Sequence, residues 1–121
     1  MVQEEHWMGI DLGICNSSAG LWLNEEFVIL QNPDNGALMT PSVVSYKEGL
    51  SNEIIVGQNA LNLGIKNPAR TIYDAKRMLG RRFYDKDLTR DIAFWPFRVI
   101  EGEEQRPRAR NSILNRYQRK F

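Results

Sequence analysis

Three short apolar runs, the first two of them alternating, crowd the first thirty residues. In WMGIDL, residues 7 to 12, Met8, Ile10 and Leu12 share one parity, and in SAGLWL, residues 18 to 23, Ala19, Leu21 and Leu23 do the same. Side chains that repeat every second residue face one side of a β-strand, so both runs are predicted strands. EFVIL, residues 26 to 30, follows after only Asn24 and Glu25, a gap that suits a tight hairpin. The chain is thus expected to open with an antiparallel meander. With 121 residues, 42% of them hydrophobic, it can bury one modest core but not two.

QNPDNGALMTPS, residues 31 to 42, is rich in turn formers and is predicted to be a loop, with Asn35-Gly36 as its turn. Pro41 biases Thr40 toward extended backbone, and Val43, Val44 and Tyr46 favour a further strand. After the polar turn KEGLSNE, IIVG at 54 to 57 reads as a strand and residues 58 to 66 as a helix that Asn67-Pro68 stops. Leu61 and Ile65, four apart, are the packing stripe expected for that helix. A second helix is predicted from Thr71 as its cap, with Ile72, Ala75 and Leu79 on one face and Gly80 as a left-handed terminus. Lys76 falls on the flank of that stripe and Arg77 points away from it. Residues 83 to 95 suggest a short helical turn, and FRVI at 97 to 100 a strand. Strands and helices mix without a strict βαβ rhythm, which makes the class mixed α/β.

A net charge of +1 gives no overall pull toward nucleic acid or an anionic membrane. The charge is uneven, however: from Gln105 to Phe121 there are Arg106, Arg108, Arg110, Arg116, Arg119 and Lys120 and no acidic residue. A nucleic-acid role for this basic segment is the weaker reading, because only Tyr117 and Phe121 offer aromatic faces beside the charges. The single cysteine excludes an internal disulfide. MVQEEHW has neither the basic start nor the apolar core of a secretory signal, and no run approaches the roughly 18 apolar residues of a membrane span. A soluble, cytoplasmic protein is expected.

The chemistry concentrates at GIDLG, residues 9 to 13. A Gly-centred turn after a strand, with Asp11 before it and small polar residues after it, can aim backbone N–H groups at phosphate while the carboxylate orients water around Mg²⁺. The same letters also describe an ordinary strand ending in a hairpin turn, and the pattern alone does not choose. Lys76 has two readings as well: a compact cation steadying transferred phosphate charge, or a helix-edge lysine with its ammonium in water. Cys15 is expected to be a small packed residue, and His6 to be solvated. Asn16-Ser17-Ser18 matches a glycosylation acceptor but lacks the accompanying signal.

Taken in order, GIDLG at 9 to 13, NSS at 16 to 18, NPDNG at 32 to 36, TPSVVSY at 40 to 46, VGQNA at 56 to 60, NPARTIYDAKRMLGRRF at 67 to 83 and WPFRV at 95 to 99 resemble the start of the seventy-kilodalton heat-shock chaperones, the DnaK type. Actins and sugar kinases share the first phosphate turn, but TPSVV, DAKR with GRRF, and WPF are similar to the chaperone branch. The resemblance implies an actin-like ATPase fold, with residues 1–100 a partial first lobe and 101–121 a divergent basic tail. It implies ATP or ADP, Mg²⁺ and K⁺ as ligands. It also implies unfolded polypeptides, J-domain co-chaperones and nucleotide-exchange factors as partners of the full-length family.

By the same resemblance Asp11 would hold Mg²⁺ through water, Gly13, Ile14, Cys15 and Asn16 would touch the phosphates, Lys76 would stand near the γ-phosphate and attacking water, and Arg77 would lie toward adenosine. The family usually places two threonines where this chain has Ile14 and Cys15, so a hydroxyl pair is missing from the loop. Backbone donors survive that exchange, but isoleucine has no donor and a thiol is a weak one. Hydrolysis is therefore expected to be weakened, and the fragment alone to be inactive. The alternative is a non-catalytic interaction fragment that keeps the lobe's shape. Apolar faces that further sequence would cover are expected to stay open, in a chain whose class of fold has only about 5–15 kcal/mol to spare.

Overall fold

The computed structural model describes residues 6–47 and 53–110. The centre of the polar turn KEGLSNE and the basic residues Arg116, Arg119 and Lys120 lie outside the described residues.

The predicted meander is present. Strands β1 (Trp7–Leu12), β2 (Asn16–Leu23) and β3 (Glu26–Ile29) pair antiparallel in that order, and the short β4 (Thr40–Pro41) pairs with the start of β2. Its register sets Met8 against Leu21, Ile10 against Ala19 and Leu21 against Val28. One face therefore gathers the apolar parity of all three strands. That face is open: Met8, Ile10 and Leu12 are 58%, 62% and 66% exposed. Asn24 and Glu25, at φ 49° and 63°, form the hairpin corner. Positive φ at both central residues gives the turn a twist that matches the strands.

A second sheet, in the order β6-β5-β7, comprises β5 (Val44–Tyr46), β6 (Ile54–Val56) and β7 (Thr71–Ile72). Helix α1 (Gln58–Gly64) packs on it. The Leu61/Ile65 stripe does not form: Ile65 is 86% exposed, whereas Ala60 is fully buried. The helix lies close to the sheet through small residues, since a Cβ on Gly64 would come within 3.0 Å of the Thr71 methyl.

The second predicted helix is replaced by a strand and a turn. Pro68–Arg70 form one 3₁₀ turn, Thr71–Ile72 form β7, and Ala75–Met78 form another 3₁₀ turn. The reason lies at Thr71. Its hydroxyl meets Ser45 Oγ at 2.9 Å in a buried pair and donates to the Asn67 carbonyl, so the residue is spent on the sheet and cannot cap a helix. Its β-branch favours the same outcome. Asp74 then takes left-handed backbone, φ 54°, and redirects the chain into the next turn. Gly80 is left-handed as expected, φ 73°, though it follows a 3₁₀ turn.

The main hydrophobic core lies further on. Helix α2 (Lys86–Ile92) precedes β8 (Arg98–Glu101), which pairs with β9 (Pro107–Arg110). Leu88, Trp95, Phe97 and Val99 are buried together, with Ile72, Tyr73 and Met78 against them. Trp95 stacks on Phe97 at 5.2 Å between centroids, and Tyr73 meets Phe97 edge-on at 5.6 Å. The aromatic cluster thus ties β7 and the 3₁₀ turn after it to the third sheet. No helix among the described residues is long and apolar enough to cross a membrane.

Asp85 caps α2 by accepting from the amides of Asp87 at 2.9 Å and Leu88 at 3.4 Å. Those two bonds, led by Asp87 and aided by Arg81 beside the carboxylate, hold its carboxyl below the usual carboxylate range. A carboxyl depressed in the fold contributes stability above its unfolded pKa, about 3.9, and loses it as pH falls through the folded value. Asp85→Ala is accordingly expected to lower the thermal midpoint at pH 7, and the gap from the parent to shrink as pH drops below 4. A gap that stays constant down to pH 2 would contradict this role.

Candidate functional site

Strand β1 carries Asp11 to its penultimate position and ends at Leu12, and the loop 13–15 turns the chain into β2. Asp11 lies opposite Ser18 and is exposed, on the face opposite to Ile10 and Leu12. The loop admits only glycine at its first position. A Cβ on Gly13 would stand 2.1 Å from the Asn16 carbonyl oxygen, a backbone atom that cannot swing aside.

Ser42 secures this loop from outside. Its hydroxyl donates to the Gly13 carbonyl at 2.9 Å, its amide donates to the Cys15 carbonyl at 2.8 Å, and its Oγ meets Ser17 Oγ at 2.9 Å. Thr40, two residues earlier, accepts from the Asn32 side chain at 3.1 Å. The carbonyls of Gly13 and Cys15 are thereby occupied. Among the described residues the Ile14 amide meets no protein acceptor. Cys15, expected to be packed, is exposed, and Ile14 is 39% exposed. The tight turn points both side chains outward rather than into a core.

Lys76 arrives from the 3₁₀ turn that Asp74 initiates, and its Nζ donates to the Leu12 carbonyl. Its ammonium is thus placed one residue past Asp11 and one before Gly13. An ammonium has three donors, and this bond uses one. Arg77 turns back to Asp74, Nε to Oδ2 3.5 Å, on an exposed surface. Among the residues singled out from sequence, Asp11, Gly13, Ile14, Cys15, Asn16 and Lys76 share one edge of the first sheet, while Arg77 is held beside its own turn. Ser42 and Ser17 stood in quoted motifs but were given no role at the loop; the hydroxyl following Thr40-Pro41 was the available signal.

The donor set fits phosphate: an unmatched amide, a cation with free donors and a loop too tight for a side chain at its first position. Among the described residues no cluster of three or more His, Cys, Asp or Glu could hold a metal directly. One carboxylate fits an ion held through water and shared with phosphate oxygens.

The Hsp70 family model, "Hsp70 protein", matches residues 7–120. The chain belongs to the Hsp70 family. It is 42% identical over 96 residues to heat shock cognate 70 kDa protein 3 of Dictyostelium discoideum, a match that covers 79% of this chain and 15% of that protein. It is 41% identical over 97 residues to the heat shock cognate HSP70 protein of Trypanosoma brucei brucei, covering 80% and 14%. To heat shock 70 kDa protein BIP3 of Oryza sativa subsp. japonica it is 43% identical over 94 residues, covering 78% and 14%. The chain therefore spans about a seventh of the length of these relatives, and its mixed α/β sheets form part of the family's actin-like ATPase fold.

Gly13→Ala is expected to force the loop open and lower stability by about 1–3 kcal/mol, the usual range for overpacking. Denaturant unfolding monitored by tryptophan fluorescence checks this; an unchanged midpoint would mean that the loop relaxes freely.

Proposed function

We propose that residues 9–16 and Lys76 form one wall of the phosphate side of an ATP·Mg²⁺ site, belonging to the ATPase cycle of a seventy-kilodalton chaperone. The observation that carries this reading is the Lys76 ammonium on the Leu12 carbonyl, between Asp11 and Gly13. When bound, Mg²⁺ would neutralise phosphate charge and order its own water shell. Asp11 would orient that shell from the strand end. The Ile14 amide and its loop neighbours would donate to phosphate oxygens, and Lys76 would turn its two remaining donors to the γ-phosphate and the attacking water. Arg77 would serve the adenosine side after leaving Asp74. ATP or ADP is the nucleotide of this reading, with K⁺ as an accessory ion. Unfolded polypeptide, J-domain co-chaperones and nucleotide-exchange factors are the partners of the complete assembly.

Calorimetric titration with ATP and Mg²⁺ tests the reading. A chimera in which residues 7–110 replace the matching segment of a full-length relative is expected to bind, and its Lys76→Ala variant to bind or turn over at least about tenfold less well, the scale of a lost charged donor. Equal behaviour of the two would remove Lys76 from the site.

A second reading, a non-catalytic fragment or pseudo-ATPase, draws on the outward-facing Ile14 and Cys15, which place a branched hydrocarbon and a thiol where a hydroxyl pair would be. In the same chimera, Ile14→Thr with Cys15→Thr is expected to raise the single-turnover hydrolysis rate. No gain would show that the hydroxyls are dispensable.

A further inference from the structure

Ser42 is the residue through which the loop at the end of β1 is joined to the second sheet. It stands between β4 and β5, and its neighbour Val43 is buried and accepts from the Gly57 amide at 2.9 Å. Because the Ser42 hydroxyl proton goes to the Gly13 carbonyl, the 2.9 Å contact with Ser17 is completed by the Ser17 hydroxyl donating to Ser42 Oγ. The backbone N–H of Ser42 is spent on the Cys15 carbonyl. One residue thus holds two loop carbonyls, at alternate positions.

Peptide planarity converts that hold into a direction for donors. Every peptide among the described residues is trans, so the N–H of a residue points opposite to the carbonyl of the residue before it. With the Gly13 carbonyl drawn to Ser42 Oγ, the Ile14 N–H faces away from Ser42. With the Cys15 carbonyl drawn to the Ser42 amide, the Asn16 N–H faces away as well. Neither direction depends on the side chains of Ile14 or Cys15.

We propose that Ser42 is a positioning residue for phosphate: it does not touch the ligand but sets the orientation of the Ile14 and Asn16 amides that do. The proposal rests on the phosphate reading of this loop. It also accounts for how the loop keeps its donors although Ile14 and Cys15 replace both threonines of the family pattern. The hydroxyl that organises the backbone comes from the connection between β4 and β5.

The test uses the ¹⁵N-labelled 121-residue chain, titrated with magnesium tripolyphosphate, which offers phosphate oxygens without adenosine. The parent is expected to show shifts of the Ile14 and Asn16 amides, and Ser42→Thr, which keeps a hydroxyl, to follow it. Ser42→Ala is expected to need about fivefold more ligand, within the range of one lost hydrogen bond, while the amides of Gly9 and Gly20 keep their parent positions. Ser42→Cys, similar in size but a weak donor, carries the same expectation should the alanine variant not fold. Ser17→Ala is expected to retain the parent affinity, because the Ser42 bond to Gly13 remains. If Ser42→Ala titrates like the parent, or Ser17→Ala loses as much as Ser42→Ala, the positioning role falls and the phosphate reading stands. If the parent's own amides do not respond, the phosphate reading falls and takes the positioning role with it.

Discussion

One hydrogen bond, from the Lys76 ammonium to the Leu12 carbonyl, joins residues 64 apart in sequence and brings two separately built parts of the molecule to a common edge. The first part is a meander whose end turn accepts only glycine at position 13. The second is a 3₁₀ turn that exists because Asp74 accepts left-handed backbone after Thr71 has been committed to the sheet. Neither part alone makes a site. Together they place a carboxylate, a tight amide loop and a cation within one short stretch of surface, the combination that phosphate chemistry uses.

The distribution of packing explains why this edge is accessible. The buried aromatic cluster sits around β8, β9 and α2, whereas the first sheet leaves Met8, Ile10 and Leu12 open. A chain that spans about a seventh of its relatives' length carries the loop and the lysine but presents them on a sheet with an uncovered apolar face. The loop is instead stiffened by polar contacts, from Ser42 to both Gly13 and Cys15 and from Asn32 to Thr40. Hydrogen bonds of this kind hold geometry with little help from burial, each contributing about 0.5–1.5 kcal/mol.

Much of this was legible in the residues. Period-two alternation over Trp7–Leu12 and Ser18–Leu23 specified the meander, since a half-open sheet keeps that pattern undisturbed. Asn24-Glu25 and Gly36 marked turns because backbone at positive φ is needed there. The stretch from Thr71 to Leu79 misled because Ile72, Ala75 and Leu79 also suit a helix, and the partner that decided otherwise, Ser45, is 26 residues away. Leu61 and Ile65 misled for a related reason: a seven-residue helix packs through whichever side lies nearest the sheet, here Ala60. At the candidate site, Asp11, Gly13 and Lys76 were picked out by family resemblance, because the local pattern alone described an ordinary hairpin turn and a helix-edge lysine equally well. Ser42 was not, because its importance lies in which carbonyls it reaches.

The claim at the centre is that the β1 turn and Lys76 face one phosphate-bound cation. Mn²⁺, which can replace Mg²⁺ beside ATP and broadens nearby nuclear resonances, reads that proximity directly. Adding Mn²⁺ with ATP to the labelled chain should broaden the amides of residues 11 to 16 together with those of residues 75 to 77, and spare β8 and β9. Broadening of one group without the other, or of neither at saturating nucleotide, would contradict the shared site.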